Sequence, residues 1–297
     1  MSAREQLKNN YWSAVLCAIV CMVPSYFVTR LSLLALNMNI SPMLTQLLSV
    51  IVQIFAVNIL TVGFIRFLMK LTPRQERGFS GYDFNLVFSG YTMNFGRTLA
   101  ATFLRWLKVL LWALLAALPT IVGMVLIIAL VPVETLDTLV RAWMLAGSEP
   151  TNENILLFAR VIEATLPHIS IYIWIWLGAT VLLLIPLIRK SYSYAMISYI
   201  MAEYPSMTAK EAFKRSRDIM IGYRWRFFTI QLSFILFIIL ISFSFTLTGS
   251  LILYCLAQAI LLPYQFTTYS HFFKQRNEVI EYNISKYGEN ETGENDK

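Results

Sequence analysis

The sequence has few charged residues and few of the side chains that carry out chemistry. Only 14% of its 297 residues are charged, and it contains two histidines and three cysteines. Ordinary soluble domains have about 25% charged residues. The motifs HExxH, CxxC, GxSxG and a glycine-rich phosphate loop do not occur. His168 and His271 fall at opposite ends of their apolar segments, and the cysteines lie within apolar segments as small hydrophobes. We therefore expect no enzyme activity, no metal and no cofactor.

Long apolar segments dominate what remains. Hydrophobic residues make up 57% of the chain, and a helix needs about 20 residues to cross about 30 Å of hydrocarbon. The predicted spans are residues 13–29, 43–69, 109–131, 169–188, 227–247 and 251–272. The prediction is an all-α, polytopic membrane bundle of about six spans. Residues 1–275 form a single transmembrane domain, and residues 276–297 form a polar tail that is largely disordered.

The basic residues orient this bundle. Of the 24 Lys and Arg residues, all but Arg30, Arg141 and Arg160 lie on one side of the predicted spans. The positive-inside rule makes that side cytoplasmic and places both termini inside. Anionic headgroups of the inner leaflet are then a nearer partner than nucleic acid for a chain of net charge +7. The outside segment, residues 132–166, is net acidic. Its apolar residues at helical spacing indicate a helix along the outer interface, as a solvated cap or a lid: Leu136, Leu139, Val140 and Trp143.

Two inside segments have the pattern of amphipathic interfacial helices. The first covers residues 82–97, with one apolar face formed by Phe84, Val87, Phe88, Tyr91 and Phe95. The second covers residues 209–221: Pro205 bars helix upstream, Thr208 and Glu211 form a capping box, and Gly222 ends the helix. Its apolar face predicts that it lies in the headgroup plane. The candidate surface for anionic lipid or a partner protein is Lys210, Lys214, Arg215, Arg217, Arg224 and Arg226. The alternative is topological anchoring that only orients the fifth span.

Neutral polar residues inside the predicted spans allow a second interpretation. They could line a path across the membrane, or they could join helices by hydrogen bonds of about 1 kcal/mol or less. The candidates for the path are Gln53, Asn58, Gln231, Gln258 and Gln265. Four tyrosines at the inner end of the fourth span indicate an aromatic belt, or else a site that recognises headgroups or peptide. They are Tyr192, Tyr194, Tyr199 and Tyr204.

The stretch from Ser191 to Gly222 resembles a known bacterial family. It contains a tyrosine-rich helix end, an acidic-x-Pro turn, and an alanine-rich helix that ends in Ser-Arg-x-x-Met-x-Gly. The chain is identified by these residues as similar to the membrane-protein family catalogued as domain of unknown function 975, common in Gram-positive bacteria. The resemblance implies an all-helical bundle of about six spans in the bacterial cytoplasmic membrane, and no agreed activity. The structural positions of its motif are Glu203, Pro205, Ser216, Met220 and Gly222.

Two hypotheses of function follow. The first is a non-enzymatic scaffold or lipid- or amphipath-handling accessory protein that engages inner-leaflet lipid or a membrane protein partner. The alternative is a transporter or channel for a neutral or amphipathic solute.

Overall fold

The computed structural model describes residues 3–7, 10–37, 41–71, 84–130, 132–148 and 151–293. Within these ranges the chain forms helices and no strand. The helices are α1 (Ala3–Leu7), α2 (Tyr11–Asn37), α3 (Pro42–Val52), α4 (Asn58–Lys70), α5 (Ser89–Thr92), α6 (Phe95–Leu130), α7 (Val133–Ser148), α8 (Asn152–Ser193), α9 (Ile197–Glu203), α10 (Ala209–Met220), α11 (Arg224–Thr248) and α12 (Leu251–Gly293). A π-helical turn, Gln53–Val57, joins α3 to α4, and a 3₁₀ turn, Phe84–Phe88, precedes α5.

Six helical stretches in the described part of the chain are long and apolar enough to cross a membrane. They are Tyr11–Leu31, Met43–Lys70, Phe95–Leu126, Ile173–Glu203, Arg224–Leu247 and Leu251–Tyr282. Each predicted span overlaps one of them. The predicted all-α fold with six spans is confirmed, and the chain is a multi-pass membrane protein.

The chain divides into two compact units, although the sequence predicted a single transmembrane domain. Unit 1 comprises Met1–Trp106 and Tyr192–Lys297, and unit 2 comprises Leu107–Ser191. The boundaries fall inside α6 and α8. These helices have 36 and 42 residues, far more than one span requires.

Small side chains on α2 bring three helices of unit 1 close together. Ala14, Cys17, Ala18 and Cys21 are buried in one cluster with residues of α4 and of α12. Without bulky side chains between them, helix backbones approach closely, which favours packing inside a membrane. Both cysteines are free thiols, so they serve here as the small hydrophobes that the sequence predicted.

The C-terminal end of α4 is capped by two distant side chains. The Gln6 amide of α1 donates to the Leu68 and Leu71 carbonyls, each at 2.7 Å. The Lys274 ammonium of α12 donates to the Met69 carbonyl at 3.0 Å. The last carbonyls of a helix lack partners within the helix, and a cation there is favourable. The cap therefore fixes α1 and α12 to the end of α4.

The segment before α6 is not the single amphipathic helix that the sequence predicted. Residues 82 and 83 lie outside the described ranges. The remainder is broken into the 3₁₀ turn, α5 and the start of α6, and Asn94 between them has φ 54°. The reason is close packing on α4. A Cβ on Gly63 would lie 1.8 Å from the Val87 carbonyl oxygen, and one on Gly90 would lie 2.5 Å from that of Ile59. The segment therefore packs on α4 through Val87 and Gly90, while the rings of Phe84, Phe88 and Phe95 stay exposed.

Unit 2 has a different character, because most of its apolar side chains are exposed. Trp174, Leu182 and Ile185 of α8 are exposed by more than half of their surface. One tight approach joins α6 to α8, since a Cβ on Gly123 would lie 2.7 Å from the Trp176 ring. In the predicted outside segment, α7 exposes Val140 and Trp143 while Leu139 is half-buried. The side chain of Leu136 lies outside the described residues.

The predicted disordered tail is helical as far as the structure describes it. Helix α12 continues through residue 276 to Gly293, and residues 294–297 lie outside the described ranges. The prediction failed because it considered only composition. Asn277 is buried, and Glu281 is ion-paired with α10, so this part of the tail belongs to unit 1.

Candidate functional site

Helix α10 begins and ends where its sequence dictates. Thr208 Oγ1 accepts the Glu211 backbone N–H at 3.4 Å, and Glu211 Oε2 accepts the Thr208 N–H at 2.9 Å. These reciprocal bonds are the predicted capping box. They hold the pKa of the Glu211 carboxyl below its usual range, because the charged form is the better acceptor. Gly222, at φ 77°, follows the helix and takes the left-handed conformation that favours glycine.

The apolar face of α10 packs on protein, which corrects the prediction that this face lies against lipid as in an interfacial helix. The Phe213 ring contacts the Tyr194 ring at 5.1 Å between centroids. Ser216 Oγ donates to the Ser193 carbonyl at 2.9 Å, and both Ser216 and Met220 are fully buried. An apolar face that is covered by α9 and α12 cannot insert into lipid. Only the charged face of α10 is left to meet a ligand.

Of the family positions, Ser216 and Met220 are therefore packing residues. Glu203 is exposed at the end of α9, and Pro205 is half-buried in the turn that follows. Gly222 lies in the turn between α10 and α11. The motif describes how α8, α9, α10 and α11 join.

Arg215 is a structural residue, although the sequence placed it on the candidate surface. Its guanidinium donates to Asn277 Oδ1 at 2.9 and 2.7 Å and to Glu281 Oε1 at 2.7 Å. It also lies over the Tyr204 ring, 5.2 Å from the centroid. Tyr204 donates its hydroxyl to Glu281 at 2.5 Å, and burial together with this bond raises the pKa of the Tyr204 hydroxyl. These four residues, the Arg215 cluster, fix α10 to α12.

The other candidate cations are available to solvent or lipid. Lys210, Lys214, Arg217 and Arg226 are exposed, and Arg224 is half-buried. The structure adds Arg276 of α12, which the sequence did not single out. Its guanidinium lies 3.5 Å from the centroid of the Tyr223 ring, beside the α10–α11 turn. We call these six cations the basic face: Lys210, Lys214, Arg217, Arg224, Arg226 and Arg276.

The α10–α11 turn concentrates unsatisfied donors. Tyr223 precedes α11 without a side-chain cap, so the first N–H groups of a 25-residue helix lack a capping side chain. The Nε atoms of Arg224 and Arg276 are buried and have no hydrogen-bond partner. In the described part of the chain, no carboxylate forms an ion pair with either of them. Ile221 and Trp225 expose 60% and 74% of their surface next to these cations. Amphipathic aromatic and basic side chains together are typical of a membrane interface.

The five polar path candidates do not form one line of contacts. Gln231 Oε1 accepts the Tyr192 hydroxyl at 2.7 Å, and Gln265 Nε2 donates to the Tyr269 hydroxyl at 2.9 Å. Gln231 also interacts with Tyr269, so Gln231 joins α11 to α8 and α12. The Gln265 bond lies within α12, because Tyr269 is four residues further along the same helix. Gln53 is exposed in the π-helical turn, and Asn58 and Gln258 are half-buried elsewhere. The contacts of Gln231 are those of a helix-joining residue, whereas Gln265 bonds within its own helix.

The tyrosines predicted as an aromatic belt are partly core residues. Tyr194 and Tyr199 are buried. Tyr199 lies 6.1 Å from Phe273 between ring centroids, and Tyr192 packs edge-on against Phe227 at 6.2 Å. The belt prediction is wrong for Tyr194 and Tyr199, because Tyr194 packs against Phe213 of α10 and Tyr199 packs against Phe273 of α12. The same aromatic cluster continues along α12 to Tyr269 and Phe272.

The cavity of interest in unit 1 is an apolar groove of about 390 Å³. It lies between the start of α2 and the α11–α12 hairpin, and aliphatic and aromatic side chains line it. No group of three or more His, Cys, Asp or Glu residues that could hold a metal ion is found in the described ranges. The functional groups that these surfaces expose are cations next to apolar side chains.

One comparison with known proteins gives a match. The family described as "Protein of unknown function (DUF975)" matches residues 1–278 of this chain. No curated protein and no solved structure matches it.

Proposed function

Since the chain belongs to the DUF975 family, whose description assigns no activity, we propose a function from the basic face. The protein is a non-enzymatic, multi-pass protein of the bacterial cytoplasmic membrane with both termini inside. Its basic face binds anionic phospholipid headgroups of the inner leaflet. There it acts as a scaffold or a lipid-handling accessory protein.

The observation that carries this proposal is the α10–α11 turn. The N-terminus of α11 has no side-chain cap, and guanidinium groups without carboxylate partners lie beside it. Together they place positive charge and hydrogen-bond donors in one small region. Phosphate oxygens accept hydrogen bonds from helix N–H groups and from exposed guanidinium nitrogens such as those of Arg226, and the helix dipole favours an anion at that end. Trp225 and Ile221 supply apolar contact beside the headgroup.

The remaining cations of the basic face support a surface rather than a single pocket. Lys210, Lys214 and Arg217 share the exposed face of α10 with Glu211 and Asp218. This face alone has a small net charge, so we assign it a secondary part. Arg224, Arg226 and Arg276 have no acidic neighbour in an ion pair among the described residues, and we expect them to dominate.

The test is lipid selectivity of the purified full-length protein in mild detergent. Brominated phosphatidylglycerol and brominated phosphatidylcholine are titrated separately while tryptophan fluorescence is measured. The quenching that is lost in Trp225→Phe is assigned to Trp225. Each basic residue near an anionic surface contributes about 1 kcal/mol. The variant Arg224→Gln/Arg226→Gln/Arg276→Gln should therefore lower the preference for phosphatidylglycerol by roughly 10- to 100-fold.

The chain provides a matched control. Arg30→Gln/Arg141→Gln/Arg160→Gln removes the same charge from the three arginines on the other side of the predicted spans, and it should keep the preference. The lysine version, Arg224→Lys/Arg226→Lys/Arg276→Lys, should keep most of it as well. Equal quenching by the two lipids in the unmodified protein, or an unchanged preference in the glutamine variant, would contradict the proposal.

The transporter hypothesis has less support. Gln231 and Gln265 form hydrogen bonds with tyrosine hydroxyls, which leaves fewer free polar groups to solvate a solute that crosses the membrane. Its specific support is the apolar groove, which could take the tail of an amphipathic solute. Solute flux into liposomes that depends on Gln258 would favour this alternative.

A further inference from the structure

The apolar groove has walls from three helices of unit 1. Helix α11 contributes Phe234, Phe237 and Ile241, and α12 contributes Ala257, Ile260 and Tyr264. Tyr11 of α2 lies at the third wall, and its hydroxyl donates to the Ile260 carbonyl at 2.8 Å. That bond satisfies the phenol, so the groove offers a ligand mainly hydrocarbon and ring surface.

The position of the groove decides what medium surrounds it. Its residues lie inside the candidate spans Tyr11–Leu31, Arg224–Leu247 and Leu251–Tyr282. Water is scarce at that depth, and the molecules available to fill an apolar groove there are hydrocarbon chains.

The groove also lies in line with one cation of the basic face. At 100° per residue, Phe234, Phe237 and Ile241 fall within about 80° of Arg226 around the axis of α11. Arg226 therefore lies on the side of α11 that forms the groove wall.

The depth matches one leaflet. The three groove residues follow Arg226 by 8 to 15 positions, which is about 12–22 Å along a helix. A headgroup layer is about 5–7 Å thick, and half of the hydrocarbon core is about 15 Å. When the phosphate of a phospholipid contacts Arg226, the terminal half of its acyl chain therefore lies at the depth of the groove.

We propose that the groove holds one acyl chain of the anionic phospholipid whose headgroup the basic face binds. This inference rests on the proposed function and extends it, because the site then selects the lipid by its chain as well as by its charge. A ligand with the right headgroup but a short chain would fill only half of the site.

The experiment is native mass spectrometry of the purified full-length protein with phosphatidylglycerol of two chain lengths, dioleoyl and dihexanoyl. Ala257→Phe places a ring in the groove. Each buried methylene contributes about 0.8 kcal/mol or roughly fourfold in affinity, so occupancy by the dioleoyl lipid should fall at least about fivefold. Binding of the dihexanoyl lipid should stay within twofold of the unmodified protein, since about six carbons end above the groove. Ala257→Leu should give an intermediate loss, which keeps the test valid if the phenylalanine variant folds poorly.

Ala179→Phe is the control, because it adds the same ring to an exposed position of α8 in unit 2; it should bind as the unmodified protein does. Absence of any preference for phosphatidylglycerol over phosphatidylcholine in the unmodified protein would overturn the proposed function and this inference together. A preserved preference with equal dioleoyl binding in Ala257→Phe would overturn the groove alone. A variant that changes the oligomer mass rather than the bound lipid would show that a protein helix fills the groove, and would also overturn it.

Discussion

Units 1 and 2 contain comparably apolar helices and use them differently. Among the candidate spans of unit 1, the buried share of the most apolar window ranges from 39% in Met43–Lys70 to 6% in Arg224–Leu247. In Ile173–Glu203, whose first part belongs to unit 2, none of that window is buried. Unit 1 combines this burial with hydrogen bonds between distant side chains, such as the Arg215 cluster. The difference shows that apolar composition places a helix in the membrane, whereas close contacts and polar bonds decide which helices form a fixed structure. Each matched pair of substitutions below tests that distinction.

The largest contrast should come from two glycines. A Cβ on Gly63 meets the Val87 backbone at 1.8 Å, whereas one on Gly178 has nothing within 4 Å. Because backbone cannot move aside as a side chain can, Gly63→Ala should lower the free energy of unfolding by more than about 3 kcal/mol. Gly178→Ala should not lower it, and the higher helix propensity of alanine predicts a gain of up to about 1 kcal/mol. Thermal unfolding in detergent measures both. Similar losses from the two variants would mean that unit 2 is packed as tightly as unit 1.

The second contrast uses the two ion pairs. Arg215 exposes 17% of its side chain and Glu281 49%, whereas Arg141 and Asp137 of unit 2 expose 74% and 53%. With allowance for the exposure of Glu281, Arg215→Gln should cost about 1–2 kcal/mol of unfolding free energy. Arg141→Gln should cost about 0.3 kcal/mol. Limited proteolysis within α12 should become faster only for Arg215→Gln. If Arg215→Gln instead weakened lipid binding without affecting stability, its assignment to the cluster would be wrong.

The third and smallest contrast concerns helix caps. Thr208 and Glu211 bond reciprocally at the start of α10, and Thr151 accepts the Asn154 N–H at 3.3 Å at the start of α8. Thr208→Ala should cost about 1 kcal/mol, because α10 is packed into unit 1. Thr151→Ala should fray the first turn of α8 and cost less than about 0.5 kcal/mol.

The same cap predicts a pH dependence. The pKa of Glu211 is lower in the folded protein than in the unfolded chain, so its contribution to stability is present above the unfolded value of about 4.3. That contribution is lost as the pH falls through the lower, folded value. Unfolding curves between pH 6 and 3 should therefore converge for the unmodified protein and Glu211→Gln at the acid end. A difference that grows with acidification would contradict the cap.

What the sequence predicted correctly depends on neighbours within a few residues. The six spans, the capping box of Thr208 with Glu211 and the stop at Gly222 are all local patterns, and the structure has each of them. The predictions that failed depend on distant partners. The sequence near Arg215 does not predict its partners Asn277 and Glu281, which are 62 and 66 residues away. Composition alone likewise suggested disorder for the tail that carries both.

The break before α6 illustrates the same limit. Phe84, Val87, Phe88, Tyr91 and Phe95 have helical spacing, so the pattern predicted one continuous helix. The break results from the close approach of Val87 to Gly63. Gly63 lies outside residues 82–97, so the pattern of that segment alone could not predict this contact. The sequence predicted every cation of the basic face except Arg276. The only sequence signal for Arg276 was its position at the end of a span.

The π-helical turn at Gln53–Val57 has a consequence for the evolution of the family. A turn closed by the bond from the Asn58 N–H to the Gln53 carbonyl holds one residue more than an α-helical turn. It leaves the Phe55 carbonyl as an acceptor for the Tyr91 hydroxyl at 2.8 Å. An insertion of one residue can be absorbed in this way, whereas in a regular helix it would rotate all earlier residues by about 100°. Homologues that are one residue shorter between Pro42 and Asn58 should therefore have lost the tyrosine at position 91, and the deletion and the substitution should be inherited together.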